Sequence, residues 1–132
     1  MITNKLLLFS GSTFGILCIF CYEILPNFFK IILFPQSVLT LMFWNDPIKN
    51  RNTIIHRIDG FFAKLLVVSF ISYKTFLYRK NFIIFAIPTS IGLYYFYLSH
   101  VQSRKEWCSQ KHLFFHFLAH IYSITSIFIA IQ

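Results

Sequence analysis

Charge is scarce in this sequence. Of its 132 residues only 12 are Lys or Arg and 4 are Asp or Glu, while 57% are apolar and 20% aromatic. A soluble domain needs roughly a quarter to a third of its surface to be charged. The composition therefore excludes a water-soluble globular fold and points to the bilayer. The basic residues are dispersed in short stretches between apolar runs and are not gathered on one element, which argues against nucleic-acid binding despite a net charge of +8.

Cysteine and alanine are sparse as well. Cys18, Cys21 and Cys108 form an odd set with no repeated spacing, so neither a disulfide framework nor a zinc knuckle is expected, and the first two read as small hydrophobes inside an apolar run. No alanine precedes Ala63, so the run LLLFSGSTFGILCIFCYEIL is not followed by an Ala-x-Ala-like cleavage site. It is expected to remain as an uncleaved helix that also starts insertion.

What is abundant is long apolar sequence. With about 20 residues needed to cross roughly 30 Å of hydrocarbon, the runs predict an all-α polytopic membrane bundle of four to five transmembrane helices in one domain, residues 1–132. The predicted helices cover about 5–24, 28–44, 53–78, 81–99 and 111–131. The second is short and contains Pro35, which suits either a kinked span or a re-entrant piece. The fourth is expected to kink at Pro88 and to carry Tyr94, Tyr95 and Tyr97 in an aromatic belt.

With five crossings, Lys5, Lys49, Arg51, Arg57, Arg104, Lys105 and Lys111 fall on the N-terminal side and Lys30, Lys74, Arg79 and Lys80 on the other. That bias predicts a cytoplasmic N-terminus. Lys64 belongs to neither group and is expected to be buried against a partner or to snorkel toward the interface.

The same topology gathers all the histidines on one side. His56 and Asp59 begin the third helix there, His100 ends the fourth, and His112, His116 and His120 begin the fifth. Residues four apart on a helix are rotated by only about 40°, so the last three share a stripe with Ala119, Ser123 and Ala130. Phe114, Leu118, Ile121, Phe128 and Ile129 lie opposite. Small residues beside polar ones mark a packed face, which turns the histidines inward. His56, Asp59, Gly60, Ala63 and Val67 form a similar stripe on the third helix. Contact between the two stripes is expected to bring His56 and Asp59 near His116 and His120, with Gly60 and Ala63 permitting close approach.

Two histidines four apart on a helix can chelate one metal, and a third ligand from His56 would leave an open coordination position for water. His112 and His120 are about 12 Å apart along the axis, so all three histidines of the last helix cannot hold one ion. Asp59 would then orient a ligand or act as acid or base.

His116-Phe-Leu-Ala-His120 on the last helix, joined by an earlier His56 and Asp59, resembles the metal-centred core of the alkaline ceramidase and progestin/adiponectin receptor superfamily. The resemblance covers residues 53–59 and 116–120. It implies a zinc-dependent lipid amide hydrolase with His56, His116 and His120 as ligands and Asp59 as acid/base partner. That superfamily has seven helices, and this chain has Thr53 where a serine is sought.

Other readings stand beside it. The histidines suit an interfacial set bonded to loops and head groups, a bis-histidine haem clamp using His56 or His100, or a pH switch. Thr53 or Asn52 reads as an ordinary N-cap. Trp107 and Cys108 read as a loop anchor at the interface. A non-catalytic component that assembles with partner helices, or with its own copies, satisfies the same composition. In every reading the surrounding partner is membrane lipid.

Overall fold

A computed structural model describes residues 3–132. The chain forms α1 (Asn4–Phe20), α2 (Asn27–Asn45), α3 (Ile54–Ser72), a π-helical turn (Tyr73–Leu77), α4 (Phe82–Lys105) and α5 (Gln110–Ala130), with no strand among the described residues. It is a helical membrane bundle. α2, α4 and α5 are long and apolar enough to cross a membrane, and α1 is apolar but shorter. α3 matches α2 in length but carries Arg57, Asp59 and Lys64.

The helices alternate in direction. At one end the Asn4 amide donates to the Trp44 carbonyl, joining the start of α1 to the finish of α2. At the other end the Lys80 ammonium donates to the Gln132 carbonyl, joining the α3–α4 connection to the end of α5.

Three boundaries differ from expectation. α1 stops at Phe20 instead of 24, and Cys21–Leu25 form turns, because the chain must leave helical geometry before Pro26. α2 keeps its expected bounds to within a residue and is a continuous 19-residue helix through Pro35, about 28 Å long and apolar enough to cross a membrane. α3 gives way to the π-helical turn at Tyr73 rather than running unbroken to 78. α4 runs to Lys105, since Gln102, Arg104 and Lys105 are good helix formers. His100 therefore lies inside α4 and does not end it. The tyrosines sit mid-helix: Tyr95, about 15 Å before the end, stacks on Phe115 and Tyr122 of α5.

Packing runs in a curved row, α3 on α2, α2 on α1, α1 on α5 and α5 on α4. The α1–α2 seam is closed at two glycines. A Cβ on Gly11 would lie 2.5 Å from Thr40 Cγ2, and one on Gly15 would lie 2.8 Å from Ser37 Oγ. The Ser37 hydroxyl donates to the Gly11 carbonyl across the same seam. Small residues thus let two membrane helices approach backbone to side chain. Phe29 stacks on Phe70 at 3.9 Å and joins α2 to the far end of α3. Cys18 is buried in the apolar core and Cys21 packs against it. All three cysteines are unpaired thiols.

α4 lies on α5 and also touches the π-helical turn. Between α3 and α4 a cleft follows the length of the bundle, floored by α5, α2 and Phe14 of α1.

Candidate functional site: a histidine-lined intramembrane cavity

The cleft encloses about 710 Å³, and His56, Asp59, His112, His116 and His120 all line it. Their arrangement follows from local rules at the starts of α3 and α5, which are built alike.

Thr53 caps α3 by accepting the His56 backbone N–H at 3.5 Å, and Ser109 caps α5 by accepting the His112 N–H at 3.3 Å. Each histidine stands at the third helical position and turns its ring back. His56 Nδ1 accepts the Asn52 N–H at 3.1 Å, and His112 Nδ1 accepts the Cys108 N–H at 3.0 Å. Asn52 and Cys108 both hold left-handed backbone, with φ of 63° and 60°. Both starts vary the capping box: histidine stands where Glu or Gln is usual and reaches one residue further back, to the N–H before the cap. The rings then meet on Trp107, at centroid separations of 5.4 and 4.9 Å. Trp107 is locked in turn by its indole N–H, which donates to the Pro47 carbonyl, and by Arg51 over its face. The loop anchor expected at Trp107 is thus directed at the histidines. Burial pushes the neighbouring Cys108 thiol up from its ordinary pKa, against the opposing pull of Arg51.

His116 and His120 lie deeper. Their rings are 4.9 Å apart, edge to face. His120 is buried, with Nδ1 2.8 Å from the Ser10 hydroxyl of α1 and its ring edge-on to Phe14. His116 Nδ1 is 3.0 Å from the Ser99 hydroxyl of α4. Each histidine thereby ties α5 to a different neighbour through Nδ1 and keeps Nε2 for other work. Ser10 also reaches the Leu7 carbonyl at 3.2 Å. When its proton goes there, His120 Nδ1 is the donor and Nε2 carries the free lone pair.

Asp59 sits on the α2 side. Its Oδ1 accepts from Gln36 Nε2 at 3.0 Å and from the Thr40 hydroxyl at 2.9 Å, and Gln36 also donates to Thr40. This polar triangle fixes α3 to α2 where both meet the cavity. Two buried wall atoms, Trp44 Nε1 and Gln36 Oε1, have no hydrogen-bond partner among the described residues.

The inward face expected for α5 is present: His112, Ala119, His120 and Ala130 are buried, while Phe114, Ile121 and Phe128 are exposed. The α3 stripe is also present, since His56, Asp59, Gly60, Ala63 and Val67 all line the cavity. The expected close approach at Gly60 is absent. Nothing lies within 4 Å of a Cβ placed there, because α3 and α5 face each other across open volume. His56 belongs to an aromatic wall, stacked on Phe43 at 4.7 Å, with Phe43 against Trp44 and Trp44 against His116. Among the described residues no three His, Cys, Asp or Glu side chains are grouped to hold a metal ion. His100 is exposed on the α4 edge of the cleft.

Ser10, Ser99, Gln36 and Thr40 were not singled out in the sequence. Ser10 is 110 residues from the histidine it contacts, so no local pattern links them. The α1–α2 seam did leave a signal, the Gly11-x-x-x-Gly15 spacing. No family model, no curated protein and no solved structure matches the chain.

Proposed function

We propose that the cavity is the working site of a membrane-embedded lipid hydrolase, which holds the polar part of a membrane lipid against His116, His120 and Asp59. One observation carries this reading: the four side chains that the sequence nominates, His56, Asp59, His116 and His120, line one cavity inside a membrane bundle. A site of several hundred Å³ with mostly apolar walls and a few convergent polar groups is the usual form of a small-ligand site.

The chemistry follows from the free nitrogens. A neutral imidazole that donates from Nδ1 to a hydroxyl oxygen presents Nε2 as a proton acceptor, the requirement for drawing a proton from water as it attacks an acyl carbon. The attacked carbon–nitrogen or carbon–oxygen bond then breaks, and the leaving amine or alkoxide takes up a proton. Asp59 is held in place by Gln36 and Thr40 and supplies acid/base capacity on the opposite wall. The zinc reading assigns His56, His116 and His120 as ligands. In the present arrangement His116 and His120 are adjacent while His56 is engaged with Asn52 and Phe43, so the set does not fit an ion as it stands and no step here runs through one. The basic residues favour a cytoplasmic position for this end of the bundle.

The test is purified protein assayed on long-chain acyl amides and esters, with metal content and absorption spectrum measured alongside. Turnover that falls on the order of 10²-fold or more in both His116→Ala and His120→Ala, with the fold retained, supports the reading. Turnover unchanged in both variants removes it. Stoichiometric zinc lost from those variants restores the metal arm, and a Soret band lost from them replaces hydrolysis with haem binding. A folded protein with neither activity nor cofactor, recovered only with another membrane protein, leaves the assembly role.

A further inference from the structure

The α3–α4 edge of the cavity has a chemistry of its own. Its lips are large apolar side chains that stand exposed: Phe61 and Val68 on α3, Leu93 and Phe96 on α4, between 40% and 61% accessible. In a membrane bundle such a lip faces hydrocarbon, so the cavity opens sideways into the lipid. Along α3 the lining runs from His56 to Phe70, about 21 Å, and its deep end is floored by buried Leu66, Phe85 and Ile127.

Two cations stand on the same stripe of α3 as that lip, Arg57 one turn before Phe61 and Lys64 between Phe61 and Val68. Arg57 and Lys64 both line the cavity, are both exposed, and have no hydrogen-bond or ion-pair partner among the described residues. They are seven residues apart, hence on one side of α3. The single carboxylate of the lining, Asp59, is occupied by Gln36 and Thr40. Neither cation forms an ion pair with that carboxylate, and near the membrane such unpaired positive charge seeks an anion.

Volume restricts the tail. A methylene group occupies roughly 30 Å³, and a cleft of about 710 Å³ is of the size that takes one long chain. One long acyl chain and a small head group fit.

We infer that the cleft between α3 and α4 is a lateral entry for a single-chain anionic lipid, whose acyl chain lies toward Phe70 and Phe85 and whose phosphate or carboxylate lies between Arg57 and Lys64. This rests on the proposed lipid site and adds its ligand class and its route of entry. The free indole of Trp44 and the ring of Trp107 in the same wall provide a built-in reporter.

The experiment titrates the full-length protein in neutral detergent with palmitoyl-lysophosphatidic acid, monopalmitoylglycerol, dipalmitoyl phosphatidic acid and inorganic phosphate, following tryptophan fluorescence. The expected result is saturable binding of the lysophosphatidic acid at least tenfold tighter than of the other three. Lys64→Gln and Arg57→Gln should each lower that affinity about tenfold and leave the neutral lipid unaffected. Val68→Trp, which narrows the lip without touching charge, should slow association. Equal affinity for neutral and anionic single-chain lipids overturns the inference. So does displacement by phosphate alone, preference for the two-chain lipid, or a cleft filled by a co-purifying protein helix. Tight binding by the unaltered protein with no turnover of any of the lipids sinks the hydrolase reading and keeps this one. Turnover of neutral lipids without anionic preference does the reverse.

Discussion

Gly11 and Gly60 occupy comparable positions inside helices of the same bundle, and their surroundings are opposite. At Gly11 a single added carbon collides with Thr40, while at Gly60 it meets nothing within 4 Å. The first glycine closes a seam and the second borders a cavity. In a membrane, where lipid tails are as apolar as side chains, close packing must come from shape and hydrogen bonds. The bundle uses both along the row from α3 through α2, α1 and α5 to α4, with glycine against side chain at the α1–α2 seam, and leaves α3 and α4 apart. Stability and the candidate site are thus assigned to different helix pairs.

The comparison can be broken most forcefully at the seam. Gly11→Leu should abolish recovery of monodisperse protein in detergent, and Gly11→Ala should lower stability by about 1–3 kcal/mol, measured by thermal unfolding, because Thr40 must move. A Gly11→Leu protein that purifies and melts normally would show that the seam is not closed.

Next in size is the bridge between the two regions. Asp59→Ala leaves Gln36 and the fully buried Thr40 hydroxyl without their acceptor and should cost roughly 1–3 kcal/mol. Asp59→Asn keeps an acceptor oxygen at the same place and should recover most of that loss in the same melt. Identical destabilisation by both variants would mean that charge, not hydrogen bonding, holds α3 to α2.

Smaller effects belong to the paired helix starts. Thr53→Ala and Ser109→Ala should each destabilise by about 1 kcal/mol, and by similar amounts, since the two caps share one geometry. A large inequality would show that only one of the twin starts carries weight. Smallest is Gly60→Ala, expected to leave stability unchanged or to raise it by no more than about 1 kcal/mol through helix propensity, measured in the same melt. Destabilisation there would mean that the cavity closes in the membrane.

How much of this was legible can be judged residue by residue. Apolar run lengths specified the helices, and four-residue spacing specified which side of α5 turns inward, because both depend only on local geometry. The shared stripe of His56, Asp59 and Gly60 was legible for the same reason. What lies across from it was not, since spacing within one helix says nothing about the distance to the next. Gly60 was read as a contact and is a border of open space. The hydroxyls that fix His116 and His120 come from α4 and α1, and only the tertiary fold brings Ser10 to His120. The end of α4 was misplaced because Gln102, Arg104 and Lys105 are polar enough to suggest a loop yet favour helix. The twin caps were readable in part: Thr53 was recognised, but its likeness to Ser109-x-x-His112 was not.

The triangle of Asp59, Gln36 and Thr40 also bears on how the chain is made. α3 brings two cations and a carboxylate toward hydrocarbon, where each ionised group is costly. The acceptor needs of Asp59 are met by α2, the segment synthesised immediately before it. Biosynthetic order thus presents the partner before the charged helix emerges, and α3 is expected to insert as a hairpin with α2, not alone. Glycosylation mapping of nascent chains should find α3 spanning when the wild-type α2 precedes it. Spanning should fail when Gln36 and Thr40 are both replaced by leucine, and unchanged insertion of that double variant would show that α3 enters the bilayer without help.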